Sequence, residues 1–355
     1  MTAVLIPTSN EADWLEARRQ GVTASEIAIL MGLSPYSSPY ALYHQKLGIL
    51  PPEDETAAME RGKVLEPYIA DKFAGMHPEL TVEGDGRSLF AHPERPWQLA
   101  TPDRLTRARG KRPMDYRCCE LHAPGKALPG GMAPCCDPSD CGPCCEDCST
   151  CPTNNRLWPS AVAECKVDGG SDEWGEEGTG EIPVHYRCQV LWQCRVMDVR
   201  RWYAVALRVR DWRIRVYTGE IDAAAVADLE LMETEALAFL DRIDRQDAPD
   251  IDWRPATIAA LKTLHPSVDD DVTAGIGPQL ADRYEAACRN YKHWERRKRL
   301  YEAQIRDRAG NARRIVRLGP GEIPVARRDV YEVREHLRKA SHVDKFVLTP
   351  PKESR

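Results

Sequence analysis

The chain has 355 residues, 42% of them hydrophobic, and this length and composition suffice for one large folded unit or two modest ones with a buried core. Its 49 Lys and Arg residues against 55 Asp and Glu give a formal net charge of −6, so the chain as a whole lacks the basic character typical of nucleic-acid-binding domains. No run approaches the roughly 18 consecutive apolar residues of a membrane-spanning helix, and the N-terminus has no basic segment followed by an apolar run. These features exclude a protein anchored by a membrane helix and predict a cytoplasmic one.

The N-terminal part of the chain is predicted to be helical. Asn10 is a good cap for a first helix that contains Trp14 and Arg18, because its side chain can accept a hydrogen bond from a free backbone amide. Apolar spacing, with proline at a first turn and glycine at an end, predicts three more helices at residues 24–31, 39–47 and 56–75.

The middle of the chain is predicted to form strands separated by an insertion. Short apolar pieces broken by prolines over residues 89–105, and the run Ser160–Val167, are typical of strands. Residues 106–158 between them are rich in cysteine, proline and glycine and nearly devoid of aliphatic side chains. Such a segment cannot fold by burying a core of its own.

Helices and strands are predicted to alternate after the insertion. Helices are expected at residues 183–197 and 222–243, and an antiparallel strand pair at residues 202–209 and 212–217. A hairpin is expected around residues 319–321.

Three residues of the predicted strands can form a metal-assisted hydrolytic site. Glu164 and Lys166 point to the same face of their strand, because side chains two apart share a face. Asp103 can bring a second carboxylate from a neighbouring strand. Two hard oxygen ligands beside an ammonium group suit magnesium-assisted phosphodiester hydrolysis. By itself, however, the Glu-x-Lys pattern is also typical of a solvated strand face or a cross-strand ion pair.

Five segments, in this order, resemble the YqaJ-type viral recombinase nucleases, a family that includes lambda exonuclease within the PD-(D/E)xK superfamily. The resemblance extends over roughly residues 10–245. The segments are Trp14–Glu26, Met59–Pro67, Thr101–Arg104, Glu164–Lys166 and Ile182–Val190.

The resemblance implies an α/β fold, with a PD-(D/E)xK (restriction endonuclease-like) core in which helices flank a central mixed sheet. The nuclease domain would be discontinuous, comprising residues 1–117 and 152–248. Two parts lie outside the resemblance and are predicted from their own sequence patterns. They are the Cys-rich insertion at residues 118–151, which interrupts the nuclease domain, and a C-terminal extension at residues 249–355 with an amphipathic helix, a hairpin and a basic tail.

The resemblance also implies roles for individual residues. Asp103, Glu164 and the main-chain carbonyl of Cys165 would bind metal together with Glu66, while Lys166 would serve the attacking water. Gln189 would support the lysine and the scissile phosphate. The residues implied to hold a 5′-phosphate are Arg18 and Ser25, although a surface arginine and a serine at the start of a helix are equally ordinary interpretations.

The implied function is a double-stranded DNA exonuclease, dependent on Mg²⁺ or Mn²⁺ with two ions per site, that works from 5′ to 3′ in the cytoplasm of a bacterium or a phage-infected host. Its partners would be DNA ends, a single-strand annealing protein and further copies of itself, as a trimer. Two alternatives stay open: a RecB-like single-strand exonuclease or endonuclease, and a DNA-binding or assembly module with an inactive nuclease fold.

Nine of the 13 cysteines lie between Cys118 and Cys151, at spacings that allow pairs of thiolates to bind one tetrahedral ion. Structural zinc is expected, because metal binding can supply the folding free energy that this segment lacks. An iron–sulfur cluster and a loop without metal are the alternatives. The candidate ligands are Cys118, Cys119, His122, Cys135, Cys136, Cys141, Cys144, Cys145, Cys148 and Cys151.

A long amphipathic helix is predicted near the C-terminus. Seven apolar or aromatic residues from Leu280 to Ile305 follow a spacing of three and four that is broken only by Lys298, and Gly310 should end the helix. Its basic cluster is a candidate contact for the DNA backbone, against the simpler interpretation of a solvated helix face. The cluster consists of Arg296, Arg297, Lys298 and Arg299.

Overall fold

A computed structural model of the chain describes residues 3–51, 56–108, 159–267, 271, 273–317 and 323–327. The chain divides into a first unit, Met1–Ser267, and a second unit, Val268–Arg355. The strands are Val4–Ile6 (β1), Val22–Thr23 (β2), Leu80–Glu83 (β3), Leu89–Ala91 (β4), Gln98–Ala100 (β5), Arg104–Ala108 (β6), Ala161–Asp168 (β7), Arg201–Arg208 (β8), Arg213–Glu220 (β9), Arg314–Arg317 (β10) and Ile323–Arg327 (β11). The helices are Glu11–Arg19 (α1), Ala24–Leu30 (α2), Pro39–Lys46 (α3), Ala57–Met76 (α4), Val184–Met197 (α5), Ala223–Arg245 (α6), Pro255–Leu264 (α7) and Pro278–Ala309 (α8).

A five-stranded mixed sheet in the order β3-β6-β7-β8-β9 is the centre of the first unit. Strands β7 and β8 are parallel, and α5 lies in the crossover between them, as a parallel pair requires. The other three pairs are antiparallel. A mixed sheet was expected, and it is confirmed.

Helices cover both faces of this sheet. Val162 of β7 packs in the same core as Trp192 of α5, while Ala163, one residue further along, packs with Phe73 of α4. This alternation is the pleat of the strand, which sends successive side chains to opposite faces. Glu164 and Lys166 therefore emerge on the face that Val162 shares with α5.

The first unit also contains a second sheet, in the order β1-β4-β5-β2, where a single sheet was expected. The apolar segments at residues 89–105 are thus divided between two sheets: β4 and β5 join the second one and β6 joins the first. Strands β1, β2 and β3 were not predicted. Two to four residues are too few for a side-chain alternation to be recognised.

The predicted helix starts are confirmed by their caps. The Asn10 side chain accepts a hydrogen bond from the Asp13 amide at 2.9 Å, and the Asp222 side chain accepts one from the Ala225 amide at 2.8 Å. Pro39 occupies the first turn of α3. These signals were readable because a cap acts within one helical turn.

Helix α7 was not predicted, and it belongs to the first unit, which ends at Ser267. Ala260 packs against Ala41 and Leu50, and the Thr257 hydroxyl lies 2.8 Å from that of Ser38. The segment after α6 thereby belongs to the first unit.

The second unit contains α8 and the β10–β11 hairpin. The predicted long helix and its end at Gly310 are confirmed. The predicted turn at residues 319–321 and the Cys-rich insertion lie outside the described residues. Within the described ranges, no helix has both the length and the apolar character needed to cross a membrane.

Candidate active site

Glu164 is the centre of the candidate site. Its side chain is buried, with the residue only 2% exposed, yet three donors surround it. One carboxylate oxygen accepts from the Lys166 ammonium at 2.6 Å and from the Gln189 amide at 2.5 Å, and the other accepts from the Gln193 amide at 2.7 Å. A buried carboxylate is costly unless it is paired in this way. The expected proximity of Glu164, Lys166 and Gln189 is therefore found.

Gln193 was not predicted from the sequence. It is fully buried on α5, one helical turn after Gln189, and its own carbonyl oxygen has no hydrogen-bond partner among the described residues. The only sequence signal is the four-residue spacing of two glutamines, which puts both on one helix face. That signal has meaning only once Gln189 has been placed beside Glu164.

Asp103 reaches the site from the residue just before β6. Strand β6 pairs antiparallel with β7 in a register that brings Asp103 level with Glu164. The backbone amide of Cys165, the next residue of β7, donates to the Asp103 carboxylate at 2.8 Å. Burial raises the pKa of Asp103 well above its ordinary range, and the charge of Glu164 raises it further. The lysine opposes this shift.

Glu66 approaches the same region from α4. Its carboxylate accepts from the Arg104 guanidinium at 2.8 Å, and that guanidinium also donates to the backbone carbonyl of Asp103 at 2.6 Å. The charge of Glu66 contributes to the raised pKa of Asp103. Glu66 thus joins the cluster as expected, and Arg104 is an additional positive group beside it.

Lys166 is held in its charged form. Burial alone would lower the pKa of Lys166, but the attraction of Glu164 and Asp103 outweighs burial and raises it. The ammonium lies 4.8 Å from the centre of the Tyr186 ring, a cation–π contact. Burial also raises the pKa of Tyr186, to about 12, so this phenol stays neutral at physiological pH.

The donor set fits a hard divalent cation. Asp103, Glu164 and Glu66 offer carboxylate oxygens, which Mg²⁺ and Mn²⁺ prefer, and their mutual repulsion is what a bound cation would relieve. Within the described ranges, no three His, Cys, Asp or Glu side chains already form a metal-binding group. Glu164 is instead neutralised by Lys166, and Glu66 by Arg104.

A second polar cluster lies where α1, β2 and α2 meet. The Arg18 guanidinium donates to the Ser25 hydroxyl at 3.1 Å and to the Thr23 hydroxyl at 3.3 Å, and it lies 4.4 Å from the centre of the Trp14 ring. The structure therefore brings together Arg18 and Ser25, which were predicted to act together, and adds Thr23.

The buried side chain of Lys46 holds the backbone of this cluster in place. The Lys46 ammonium donates to the backbone carbonyls of Arg18 and Gly21, at 2.6 Å each, and pairs with the Glu26 carboxylate at 2.7 Å. Glu26 also accepts from the Thr23 amide at 2.8 Å. Lys46 was not predicted, because its contacts are made with residues 20 to 28 positions earlier in the chain.

The remaining candidates belong to other parts of the chain. The ten candidate zinc ligands lie outside the described residues. The basic cluster lies on α8 in the second unit, where Arg299 pairs with Glu295 at 2.7 Å and Lys298 with Glu302 at 3.6 Å. A contact between this cluster and the DNA backbone stays a prediction.

These features define an α/β protein in which helices flank a mixed sheet and a carboxylate–lysine pair, Glu164 and Lys166, lies on the central strand. The model of the YqaJ-like viral recombinase domain matches residues 13–200, more than half of the chain. The chain belongs to this family, as its sequence segments indicated.

Two kinds of relative were found by comparison. The uncharacterized protein YqaJ of Bacillus subtilis (strain 168) is 30% identical over 94 residues, which cover 26% of this chain and 29% of that protein. Two crystal structures of the alkaline exonuclease LHK-Exo from Laribacter hongkongensis, one in complex with dAMP, match with a TM-score of 0.40 and 19% identity. That match covers 66% of this chain and 94% of the exonuclease.

Proposed function

We propose that this chain is a metal-dependent DNA exonuclease with a PD-(D/E)xK core, which removes nucleotides from the 5′ ends of double-stranded DNA. The observation that carries the proposal is the meeting of Asp103, Glu164 and Lys166 on adjacent strands, although the insertion separates the aspartate from the other two. Membership of a viral recombinase family supports DNA as the substrate.

The residues that would hold the metal are Asp103, Glu164, Glu66 and the main-chain carbonyl of Cys165. A bound pair of Mg²⁺ or Mn²⁺ ions would supply positive charge to the scissile phosphate and lower the pKa of a bound water. Lys166 orients the attacking water with its ammonium, while Gln189 holds the carboxylate that the lysine contacts.

Hydrolysis at this site adds water across one phosphodiester bond. The oxygen of water bonds to phosphorus, the bond from phosphorus to the 3′ oxygen breaks, and a proton passes to that oxygen. The products are a released nucleotide and a strand that again carries a 5′-phosphate.

The cluster of Arg18, Thr23 and Ser25 supports a 5′ polarity. A guanidinium beside two hydroxyls can donate several hydrogen bonds to a terminal phosphate, whose extra charge distinguishes it from an internal one. Strands exposed by such digestion would serve an annealing protein, and the family resemblance implies a trimer around the DNA.

Digestion of linear duplex DNA labelled at the 5′ or 3′ end tests the polarity. With Mg²⁺, the 5′ label should be released as a mononucleotide from the first turnover, while the 3′ label stays on long fragments until late. Early release of the 3′ label would overturn the polarity. Cleavage of circular duplex or a preference for single strands would favour the RecB-like alternative.

Variants of the central residues test the site. Asp103→Ala, Glu164→Ala and Lys166→Ala should each reduce digestion by a factor of about 10³ or more, because the residues of such a site act as a unit. Asp172→Ala removes an exposed carboxylate from the loop after β7 and is the matched control. Full activity of any of the three, or no cleavage of any DNA form by the unaltered chain with Mg²⁺ or Mn²⁺, would contradict the proposal.

A further inference from the structure

Helix α8 carries an exposed apolar face along its whole length. Leu280 is 60%, Tyr291 70% and Trp294 62% exposed, and none of the described residues of the helix is buried. Large side chains left in water over a helix of 32 residues mark a surface that is covered when the protein acts. We call this face the seam; it consists of Leu280, Tyr284, Ala287, Tyr291, Trp294, Lys298, Tyr301 and Ile305.

The spacing of the seam specifies what covers it. Its members alternate by four and three residues without a break, which is the 3.5-residue period of helices that wrap around one another. A helix that packs on a globular core has a wider stripe with a 3.6-residue period. The pattern lasts for about four heptads, the length at which it indicates a coiled coil. The seam therefore fits another long helix.

The charges beside the seam specify the partner and its direction. Arg283 and Arg297 immediately precede seam residues on one side, while Glu295 and Glu302 immediately follow seam residues on the other. In a parallel pair of identical helices, each basic side faces the acidic side of the other helix, so Arg297 meets Glu302 of the second copy. In an antiparallel pair, arginine would face arginine and glutamate would face glutamate.

We infer that α8 packs in parallel and in register against α8 of another copy of this chain, and the same charge pattern fits two helices or the three of the proposed trimer. The contact does not depend on the proposed nuclease function, because α8 lies outside the family-matched residues 13–200. Lys298 is the single charged member of the seam, and one such residue restricts register at a cost in stability. Arg297 lies 5.4 Å from the Trp294 ring and 5.8 Å from the Tyr301 ring, which extends the seam at its edge.

Cysteine cross-linking of the full chain tests the direction and the register. In a parallel, in-register pair, position 287 faces itself across the seam, so Ala287→Cys should give an interchain disulfide on mild oxidation. Ala286→Cys, one residue away and off the seam, is the matched control, and the unaltered chain sets the background from native cysteines. Cross-linking of Ala287→Cys no greater than that of Ala286→Cys would overturn the inference.

Charge placed in the seam tests the contact itself. Tyr291→Glu with Trp294→Glu should abolish the position-287 cross-link and weaken association by about tenfold or more, measured by analytical ultracentrifugation. Lys292→Glu with His293→Glu places two glutamates off the seam and should preserve both the cross-link and the association. If the chain stays associated through its first unit, loss of the cross-link still reports on α8. A cross-link that survives the seam substitutions would overturn the inference.

Lys298 separates this inference from two other interpretations of α8. Lys298→Ile completes the apolar seam and should tighten association about tenfold or more, whereas Arg296→Ile, off the seam, should not. If Lys298 instead contacts DNA, its substitution weakens DNA binding and leaves association unchanged. If the last residues of the chain cover the seam, Lys298→Ile raises thermal stability without any dependence on protein concentration. Either of these results would overturn the inference.

Discussion

At the scale of single residues, Glu164 shows how a charge is kept in the core. Its carboxylate is almost fully buried. An unpaired charge in the core costs several kcal/mol, which is enough to favour the protonated form of a carboxyl group that has no partner. Lys166 balances the charge, while Gln189 and Gln193 hold one oxygen each. The two amides add direction without adding charge, so they orient the two carboxylate oxygens.

We expect Gln193→Met to impair metal use while leaving the fold nearly as stable. The substitution removes a hydrogen bond to a charged group, worth about 1.5–3 kcal/mol, but it also removes the unpaired amide oxygen, which costs about 1–3 kcal/mol. The two effects oppose each other. Loss of orientation at Glu164 should raise the Mg²⁺ concentration for half-maximal digestion by about 10–100-fold. Gln45→Met on α3 is the control, and an unchanged Mg²⁺ dependence would make Gln193 a packing residue only.

The pair of Lys46 and Glu26 predicts an acid-sensitive step in stability. Burial raises the pKa of Glu26, but the lysine, Arg18 and the Thr23 amide lower it more, so its folded pKa lies below the ordinary value of 4.5. A depressed carboxyl pKa stabilises the fold above that value, and the contribution is lost as the pH falls through the folded pKa. Glu26→Gln should cost about 3–5 kcal/mol at pH 7, because the buried lysine loses its partner.

Chemical denaturation between pH 7 and pH 3 measures this step. The unaltered chain should lose stability below about pH 4.5, whereas the Glu26→Gln variant should have a flatter profile there. Glu16→Gln, which alters an exposed ion pair with Arg19, should change stability by less than about 1 kcal/mol. Parallel pH profiles for the unaltered chain and the Glu26→Gln variant would contradict the assignment.

At the scale of elements, two glycines in the segments that resemble the family have opposite roles. Gly21 permits the close approach of two backbone segments, whereas Gly62 lowers the helix propensity of α4. Gly21 precedes β2, and a Cβ atom there would lie 2.3 Å from the carbonyl oxygen of Trp97, which accepts the Val22 amide at 2.7 Å. The obstacle is backbone and cannot move aside cheaply. Gly62 lies within α4 with nothing among the described residues within 4 Å of its Cβ position.

We therefore expect substitutions of the two glycines to act in opposite directions. Gly21→Ala should destabilise the fold by about 1–3 kcal/mol and weaken binding of 5′-phosphorylated ends, because it displaces β2 from β5. Gly62→Ala should stabilise the fold by about 0.5–1 kcal/mol, since alanine is the better helix former. Denaturant unfolding measures both. If Gly21→Ala leaves the stability of the fold unchanged, β2 can shift freely. If Gly62→Ala destabilises the fold, α4 needs the glycine for a close contact.

At the scale of the whole molecule, the Cys-rich insertion leaves and re-enters the central sheet at neighbouring points. Thr106 near the end of β6 is paired with Ala161 at the start of β7, and the Ser160 amide donates to the Thr106 carbonyl at 2.7 Å. The two strands form the arms of an antiparallel hairpin whose connection is the insertion. Their pairing places Asp103 beside Cys165, so the site depends on this register.

We expect replacement of residues 110–157 by a short Gly-Ser linker to preserve the sheet. A shorter loop is cheaper to close, by about 0.6 kcal/mol for each halving of its length. The variant should keep its far-ultraviolet circular dichroism and its digestion of linear duplex. Zinc bound near stoichiometrically by the unaltered chain should disappear, as measured by elemental analysis. Iron in place of zinc would favour a cluster, absence of both would exclude structural metal, and a folded but inactive variant would show that the insertion contributes to DNA handling.

The sequence by itself determined the features that act over short range. Caps such as Asn10 and Asp222 work within one helical turn, and the alternation of β7 places Glu164 and Lys166 on one face without reference to the rest of the fold. The seam of α8 is likewise a property of spacing alone. Local geometry is enough for each of these.

Only the tertiary structure decided which distant residues meet. Gln193 touches Glu164 because α5 crosses over the sheet between β7 and β8. Lys46 reaches the Arg18 and Gly21 carbonyls because α3 packs against α2. The sequence around Gln193 and Lys46 does not by itself distinguish these buried residues from exposed glutamines and lysines. The free energy that selects them comes from contacts between distant parts of the chain, which spacing does not encode.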